Sequence, residues 1–464
     1  MEVEITVCTK PPSPRVNFTF AAHPAADELI LFGGEYYNGQ NQYVYGDLFT
    51  FNLKKAEWKK ITSPNSPPPR CGHASAVRAR GGGELYVFGG EYSSRNQEKF
   101  KHYNDLWVYY FKEQKWEKLT ATNGPTPRSG HRMVIAGNSL VVFGGYFDNG
   151  KSTPKYMDDV HVYDLETRVW MQTTITKQVI SPSARSAFQM IATGEDRILV
   201  MGGYRREKVK GIAEEQGMQL ADMWELLRIE TSATDISSVV RPTCTWRWLK
   251  LKATGSVPGT RTGVNCVMRD NSNQAYSFGG VTDQETEWAV SGSFMNELLL
   301  LNTEENKFHE VSVKKGMDCK DKQEEIEQDR RERIKAKIAA AKAKKIAAKK
   351  KGSASARPNA DDDCPQVVRV DADDVEIIAA DGVWPRPRSS TGLAIKGRIL
   401  YLYGGYNEVG DRMITLSDLY SLDIGKMDEW IKVEDTSEES KKWLGEESDS
   451  ESDSEYTDED GDEE

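Results

Sequence analysis

Short apolar runs that end in a pair of glycines recur along the chain. The runs are LILF, LYVF, LVVF, ILVM, AYSF and LYLY; the pairs are Gly33-Gly34, Gly89-Gly90, Gly144-Gly145, Gly202-Gly203, Gly279-Gly280 and Gly404-Gly405. In the first copy Asp47-Leu48 opens an alternating run thirteen residues past Gly34, and Trp58 follows. Short runs that alternate, or are apolar throughout, between Gly, Pro, Asn and Asp predict β-strands. The first copy predicts four: residues 16–21, 29–32, 47–52 and 57–61.

Other marks keep the same order. An arginine lies 16 to 19 residues before each first glycine: Arg15, Arg70, Arg128, Arg185, Arg261 and Arg388. An acidic-apolar pair lies 13 to 19 residues after each second glycine, from Asp47-Leu48 to Asp418-Leu419. A tryptophan closes five copies, at Trp58, Trp116, Trp170, Trp246 or Trp248, and Trp430; Phe308 takes its place in the fifth. A period near 50 residues with one double glycine per copy is the kelch pattern. All six copies carry the resemblance to the kelch family. Within that family, the stretches LILFGGEYYNGQ, PPPRCGH, LYVFGGEY, HYNDLWV and SGHRMV resemble one subgroup more closely.

A lone four-stranded sheet buries neither face, whereas sheets stacked around an axis bury both. The fold expected is all-β, a six-bladed kelch propeller over residues 15–433. Its blades span about 15–61, 70–119, 128–172, 185–251, 261–313 and 388–433. Pro-rich linkers at 63–69 and 123–127 separate the first three. Residues 1–14 read as a leader without an element of its own. Extra residues in the fourth copy, 205–219 and 230–244, read as loop insertions.

Between the last two blades the spacing breaks, and residues 314–387 read as a charged insertion. Residues 321–351 contain no Gly or Pro and turn from acidic to basic, which predicts a helix. Residues 330–351 hold eleven basic side chains and one acidic. Residues 434–464 form an acidic tail; from 446 on, twelve of nineteen residues are acidic, and such a block is expected to be disordered. The net charge of −11 is therefore unevenly placed.

No run of 18 apolar residues suggests a membrane helix, and the first residues lack the pattern of a secretory signal. The six cysteines are scattered without a C-x-x-C pair. That favours a reducing compartment and argues against a zinc site. The expected location is cytoplasmic, with the nucleus open through the basic segment.

The chemistry-bearing candidates are few. The recurrent arginines read as structural, because an unpaired buried charge is costly. His73 and His131 occupy one repeat position and read as packing rather than metal ligands. No phosphate loop, dinucleotide fingerprint or nucleophile elbow occurs. No catalytic residue, cofactor or metal is expected.

The loops after the glycine pairs should share one face of the ring. Tyr36, Tyr92, Tyr146, Tyr204 and Tyr406 recur there, as packing or as contact. Tyr37, Glu35, Glu91, Arg95, Phe147, Arg205 and Arg206 are the candidate partner-binding residues, since aromatics and arginines suit protein contacts. The expected function is a non-catalytic protein-interaction scaffold, a monomer whose partners are proteins. An alternative is an RNA-associated or ribosome-assembly factor that binds polyanions through Lys335, Lys337, Lys342, Lys344, Lys345, Lys349, Lys350 and Lys351. A propeller enzyme is the third reading. Ser448, Ser450, Ser452 and Thr457 each precede an acid by three residues and resemble sites for acid-directed kinases. Phosphate there would strengthen any masking of the basic segment by the tail.

Overall fold

A computed structural model describes residues 3–120, 122–150, 154–176, 180–208, 215–232, 243–286, 289–314, 384–409, 412–437, 440 and 444. Each of the six repeats forms one antiparallel sheet of four strands in simple up-and-down order. In the first blade these are, from the axis outward, Thr19–Ala22, Glu28–Phe32, Leu48–Asn52 and Glu57–Thr62. The last blade comprises Gly392–Lys396, Ile399–Val409, Arg412–Asp423 and Trp430–Glu434. Innermost strands touch their neighbours all the way round, and Thr19–Ala22 meets Gly392–Lys396 to close the circle. Among the described residues no strand is lent from one end of the chain to the other end's sheet.

The continuous apolar runs are explained by position. Leu29, Ile30, Leu31 and Phe32 are fully buried, because the second strand of a blade is covered on both faces. Even-numbered members face one neighbouring blade and odd-numbered members the other.

One aromatic contact joins successive blades. The residue before the glycine pair packs on the closing tryptophan of the next blade. Phe32 lies 5.2 Å from Trp116, Phe88 5.7 Å from Trp170, Phe143 5.0 Å from Trp248 and Phe278 6.1 Å from Trp430. Tyr403 lies 5.6 Å from Trp58, so the last blade meets the first through the same pair. Between blades four and five, Met201 and Phe308 take these places in one apolar cluster. Trp248, rather than Trp246, is the fourth equivalent. A buried aromatic removes roughly 150–250 Å² from water, and an aromatic pair adds about 0.5–1.5 kcal/mol beyond that area.

The double glycine serves the same junction. Gly33 and Gly34 have φ of 66° and 98°. A Cβ on Gly33 would sit 2.7 Å from the Arg70 carbonyl of the next blade. That carbonyl accepts the Gly34 N–H at 2.9 Å; Gly90 bonds Arg128, Gly145 bonds Arg185 and Gly280 bonds Arg388 alike. A side chain on Gly33 would push the two blades apart, and one on Gly34 would collide with Val16 and Phe18 of its own blade.

Several expectations change. The leader contains a strand, Glu4–Val7, which pairs with Glu57–Thr62 as a fifth, outermost strand. Its four-residue run was too short to announce itself. The segments Gln172–Ile175 and Thr254–Gly255, at or between the blade bounds expected, run parallel to the outer strands of blades four and five. The described parts of the fourth-copy insertions, 205–208, 215–219, 230–232 and 243–244, are strand rather than loop. Arg197–Lys208 and Glu215–Ser232 form one long hairpin with a bulge between Met201 and Gly203. Its extra backbone groups are satisfied by pairing with each other. The tail does not leave the ring at Glu434: the Ser437 N–H donates to Ser417 Oγ at 2.9 Å, and the Leu444 N–H to the Asn38 carbonyl at 2.7 Å. The helix expected within the insertion, at 321–351, lies outside the described residues, as does the acidic block from 446 onward.

Trp58→Ala opens the closing contact and is expected to cost about 3–5 kcal/mol, read as a fall in the denaturation midpoint. Tyr403→Phe removes a buried hydroxyl that has no hydrogen-bond partner among the described residues. It is expected to hold or raise the same midpoint, because an unsatisfied buried hydroxyl costs about 1–3 kcal/mol.

Candidate functional site

Each glycine pair is followed by a hairpin, and all six hairpins rise from one face. They include Glu35–Tyr37 with Gln42–Val44, Glu91–Ser93 with Phe100–His102, and Tyr146–Phe147 with Lys155–Tyr156. In blades four and six the hairpin continues the sheet beyond a bulge; in blade five it is Val281–Thr286 with Ala289–Phe294. Each hairpin is tied down by one bridge to the residue after the recurrent arginine, as in Cys71 with Glu91 and Ser129 with Tyr146. In the first blade that bridging residue is Val16, paired with Glu35.

One residue further on, the chain lines the axis. Asn17, Gly72, Gly130, Ala187, Gly263 and Ser390 all have φ between 52° and 67°. Their backbones bond around a collar: Gly72 N–H to Asn17 at 3.0 Å, Gly130 to Gly72 at 2.9 Å, Ala187 to Gly130 at 3.0 Å and Ser390 to Gly263 at 2.7 Å. Above this collar the hairpins enclose a funnel of about 670 Å³. Glu35 stands in its wall. Its Oε1 accepts from Asn17 Nδ2 at 2.7 Å and its Oε2 from Gln42 Nε2 at 2.6 Å.

A second polar cluster links the hairpins of blades two and three. The Tyr146 hydroxyl donates to the Glu91 carboxyl at 3.1 Å. The backbone N–H of Asp148 donates to His102 Nε2 at 3.0 Å, which leaves Nδ1 to donate to Ser129 Oγ at 2.8 Å. Burial pushes the His102 pKa down to about 4, so the ring is neutral at pH 7. Burial, then the negative charge of Glu35, pushes the Glu91 pKa up to about 7 against the hydrogen bonds from Tyr146 and Ser129. A serine, a histidine and a carboxyl in contact resemble a nucleophilic triad. Here Ser129 is fully buried and both imidazole nitrogens are engaged, so the set ties two hairpins together.

The recurrent arginines are structural. Arg70, Arg128, Arg185 and Arg388 each donate to the carbonyl of their own blade's first glycine and make a two-pronged pair with Asp105, Asp159, Asp222 and Asp418. Arg261 reaches Glu297 at 2.8 Å. Burial would raise the Asp105 carboxyl, but Arg70 outweighs it and holds the group below the usual range. The first blade departs from the pattern: Asp47 takes Lys60 at 2.5 Å, and Arg15 lies 4.2 Å from the centre of the Tyr45 ring. His73 and His131 pack edge-on against Phe32 and Phe88, and burial lowers His73 to about 3. Among the described residues no group of His, Cys, Asp or Glu could hold a metal ion, and no helix is long and apolar enough to cross a membrane.

All the candidate contact residues fall on the hairpins, but they differ in freedom. Arg95 and Arg206 are exposed; Arg95 lies 4.9 Å over the Tyr43 ring. Tyr37 donates to the Gly39 carbonyl at 2.7 Å and lines the funnel. Phe147 packs 5.0 Å from His102, and Arg205 pairs with Glu207 at 2.5 Å. Glu91 is engaged within the protein. The recurrent tyrosines are internal links as well, Tyr36 being 4% exposed. The lysine candidates Lys335 to Lys351 and the phosphorylation candidates Ser448, Ser450, Ser452 and Thr457 lie outside the described residues. Sequence reasoning missed Asn17, Gln42, His102, Ser129 and Ser389. One signal was present: Cys71, Ser129, Ser186, Thr262 and Ser389 each follow the recurrent arginine.

Two tests follow from these contacts. Arg388→Ala strands the buried Asp418 and is expected to cost about 3–5 kcal/mol, whereas Arg261→Ala, at a more exposed pair, costs less in the same thermal melts. Glu91 holds its proton more tightly folded than unfolded, so its contribution to stability falls as pH rises from 4.5 to about 7. Glu91→Gln removes that loss. The variant is expected to gain on the parent by on the order of 2 kcal/mol between pH 5 and pH 8.

Residues 18–233 match the family model described as KLHDC2/KLHL20/DRC7 Kelch-repeats domain. Host cell factor 1 of Homo sapiens is 25% identical over 319 residues, which cover 63% of this chain and 13% of that protein. Host cell factor 1 of Rattus norvegicus matches to the same extent. Acyl-CoA-binding domain-containing protein 5 of Arabidopsis thaliana is 29% identical over 181 residues, 38% of this chain and 25% of that protein. The chain thus spans a quarter or less of the length of these curated relatives. The solved structure of YjhT, 16% identical, aligns with a TM-score of 0.51 over 91% of this chain and 99% of its own, a likeness of fold. Residues 18–233, the first three blades and most of the fourth, thus match a kelch-repeat model, and all six sheets repeat the same glycine pair, arginine and closing aromatic.

Proposed function

We propose that the chain is a non-catalytic protein-interaction scaffold and that its binding surface is the hairpin face. One observation carries this reading: six hairpins project from a single face around a shared funnel. Their roots are fixed by bridges and, in the first blade, by the buried Tyr36, while Arg95 and Arg206 remain exposed above. A rigid rim with exposed arginines and partly exposed aromatics suits partner recognition. The one triad-like set, Ser129 with His102 and Glu91, is sealed from substrate, which favours binding over catalysis. Residues 29–40 and 67–73 further support kinship with the kelch domain-containing protein 4 subgroup. An intracellular location fits the free thiols of Cys8, Cys71, Cys244 and Cys266.

The test is affinity purification of the full chain beside a Tyr37→Ala, Arg95→Ala, Phe147→Ala triple variant. The variant is expected to keep its melting temperature and to lose the co-purifying proteins. The same proteins retained at the same yield would overturn the assignment of this face.

A further inference from the structure

We infer that the centre of the hairpin face is a subsite for one cationic side chain, a lysine ammonium or arginine guanidinium, carried by a protein partner. This rests on the hairpin face being the binding surface, and it names the chemistry of its middle.

The funnel lies at the centre of the rim, and its volume of about 670 Å³ is ample for a long side chain. Its lining includes Glu35 and Glu408 and contains no lysine, arginine or histidine. An anionic side chain would therefore enter against like charge, with no cation in the wall to receive it. Glu35 is already aimed. The amides of Asn17 and Gln42 each hold one of its oxygens, at 2.7 and 2.6 Å. A carboxylate offers about four lone-pair sites; the two amides and the neighbouring Cys71 thiol take up to three, so one remains for an incoming N–H donor. Because the two amides fix the group beforehand, little ordering is left for the binding step.

An independent feature points the same way. Ser389 lines the funnel from the sixth blade and is 1% exposed, yet its hydroxyl has no hydrogen-bond partner among the described residues. The hydroxyl lies against Gly263, also in the wall, where any Cβ would collide with it. Buried hydroxyls are ordinarily paired. An oxygen left unpaired beside a cavity with an acidic wall is an acceptor suited to a donor from outside. A lysine or arginine head brings several N–H donors and no acceptor, which matches the Glu35 carboxylate and the Ser389 oxygen in the wall.

The probe is the peptide acetyl-Gly-Arg-Gly-amide, added to the full chain labelled with carbon-13 at its methionine methyls. Met413 lines the funnel, and Met413→Leu assigns its signal. The peptide is expected to shift the Met413 resonance saturably. Replacing arginine with citrulline, which keeps the shape and removes the charge, should abolish the shift. Glu35→Gln should weaken binding at least about tenfold. If Glu35→Gln proves unstable, the citrulline comparison on the parent chain still decides. An unmoved Met413 signal, or an equal response to citrulline, overturns the subsite. Should partner proteins still depend on Tyr37, Arg95 and Phe147 in that case, the scaffold reading stands and only the cationic subsite falls.

Discussion

The ring rests on an aromatic staple between neighbouring sheets. The side chain ahead of each glycine pair lies on the closing aromatic of the next blade, from Phe32 on Trp116 round to Tyr403 on Trp58. A blade has two apolar faces and too little mass to shield either, so its stability is shared with its neighbours. The staple fixes where each sheet sits, and the rest of the repeat follows from it. Glycines must stand where the next blade's backbone comes within hydrogen-bond distance. Arginine fills the gap beneath them, and in blades two to six a carboxylate pairs with it.

That arrangement explains how a ring can close without exchanging a strand. Trp58 meets Tyr403 on one side, and its indole N–H donates to Glu434 at 2.6 Å. The contact joins residues more than three hundred positions apart, yet its geometry is that of junctions between sequential blades. Equivalence of all six junctions turns a linear repeat into a closed object. It also holds the hairpins in register around one axis, which gives the face a defined centre.

The blades were legible because each mark in the repeat answers a local demand. A run such as LILF must be apolar at every position, since both faces are covered. Gly33-Gly34 must be glycine, since a Cβ on Gly33 would strike the next blade and one on Gly34 would strike Val16 and Phe18 of its own. The hairpin face was legible only as a location. Its polar links join residues from different blades, such as Tyr146 with Glu91 or His102 with Ser129, and no spacing along the chain announces them. His102 read as a stray histidine because its partner belongs to another repeat. The outermost strand Glu4–Val7 was hidden for a related reason: an edge strand is defined by the edge it joins, and four residues carry little pattern. The long fourth hairpin was mistaken for loop because its polar composition says nothing about backbone pairing.

A double-mutant cycle on Trp58→Ala and Tyr403→Ala measures the closing staple most directly. The account predicts a coupling energy of about 0.5–3 kcal/mol, matched by the Phe88 and Trp170 cycle at an ordinary junction. Strictly additive effects at Trp58 and Tyr403, alongside coupling at Phe88 and Trp170, would mean that the first and last blades do not meet as the others do.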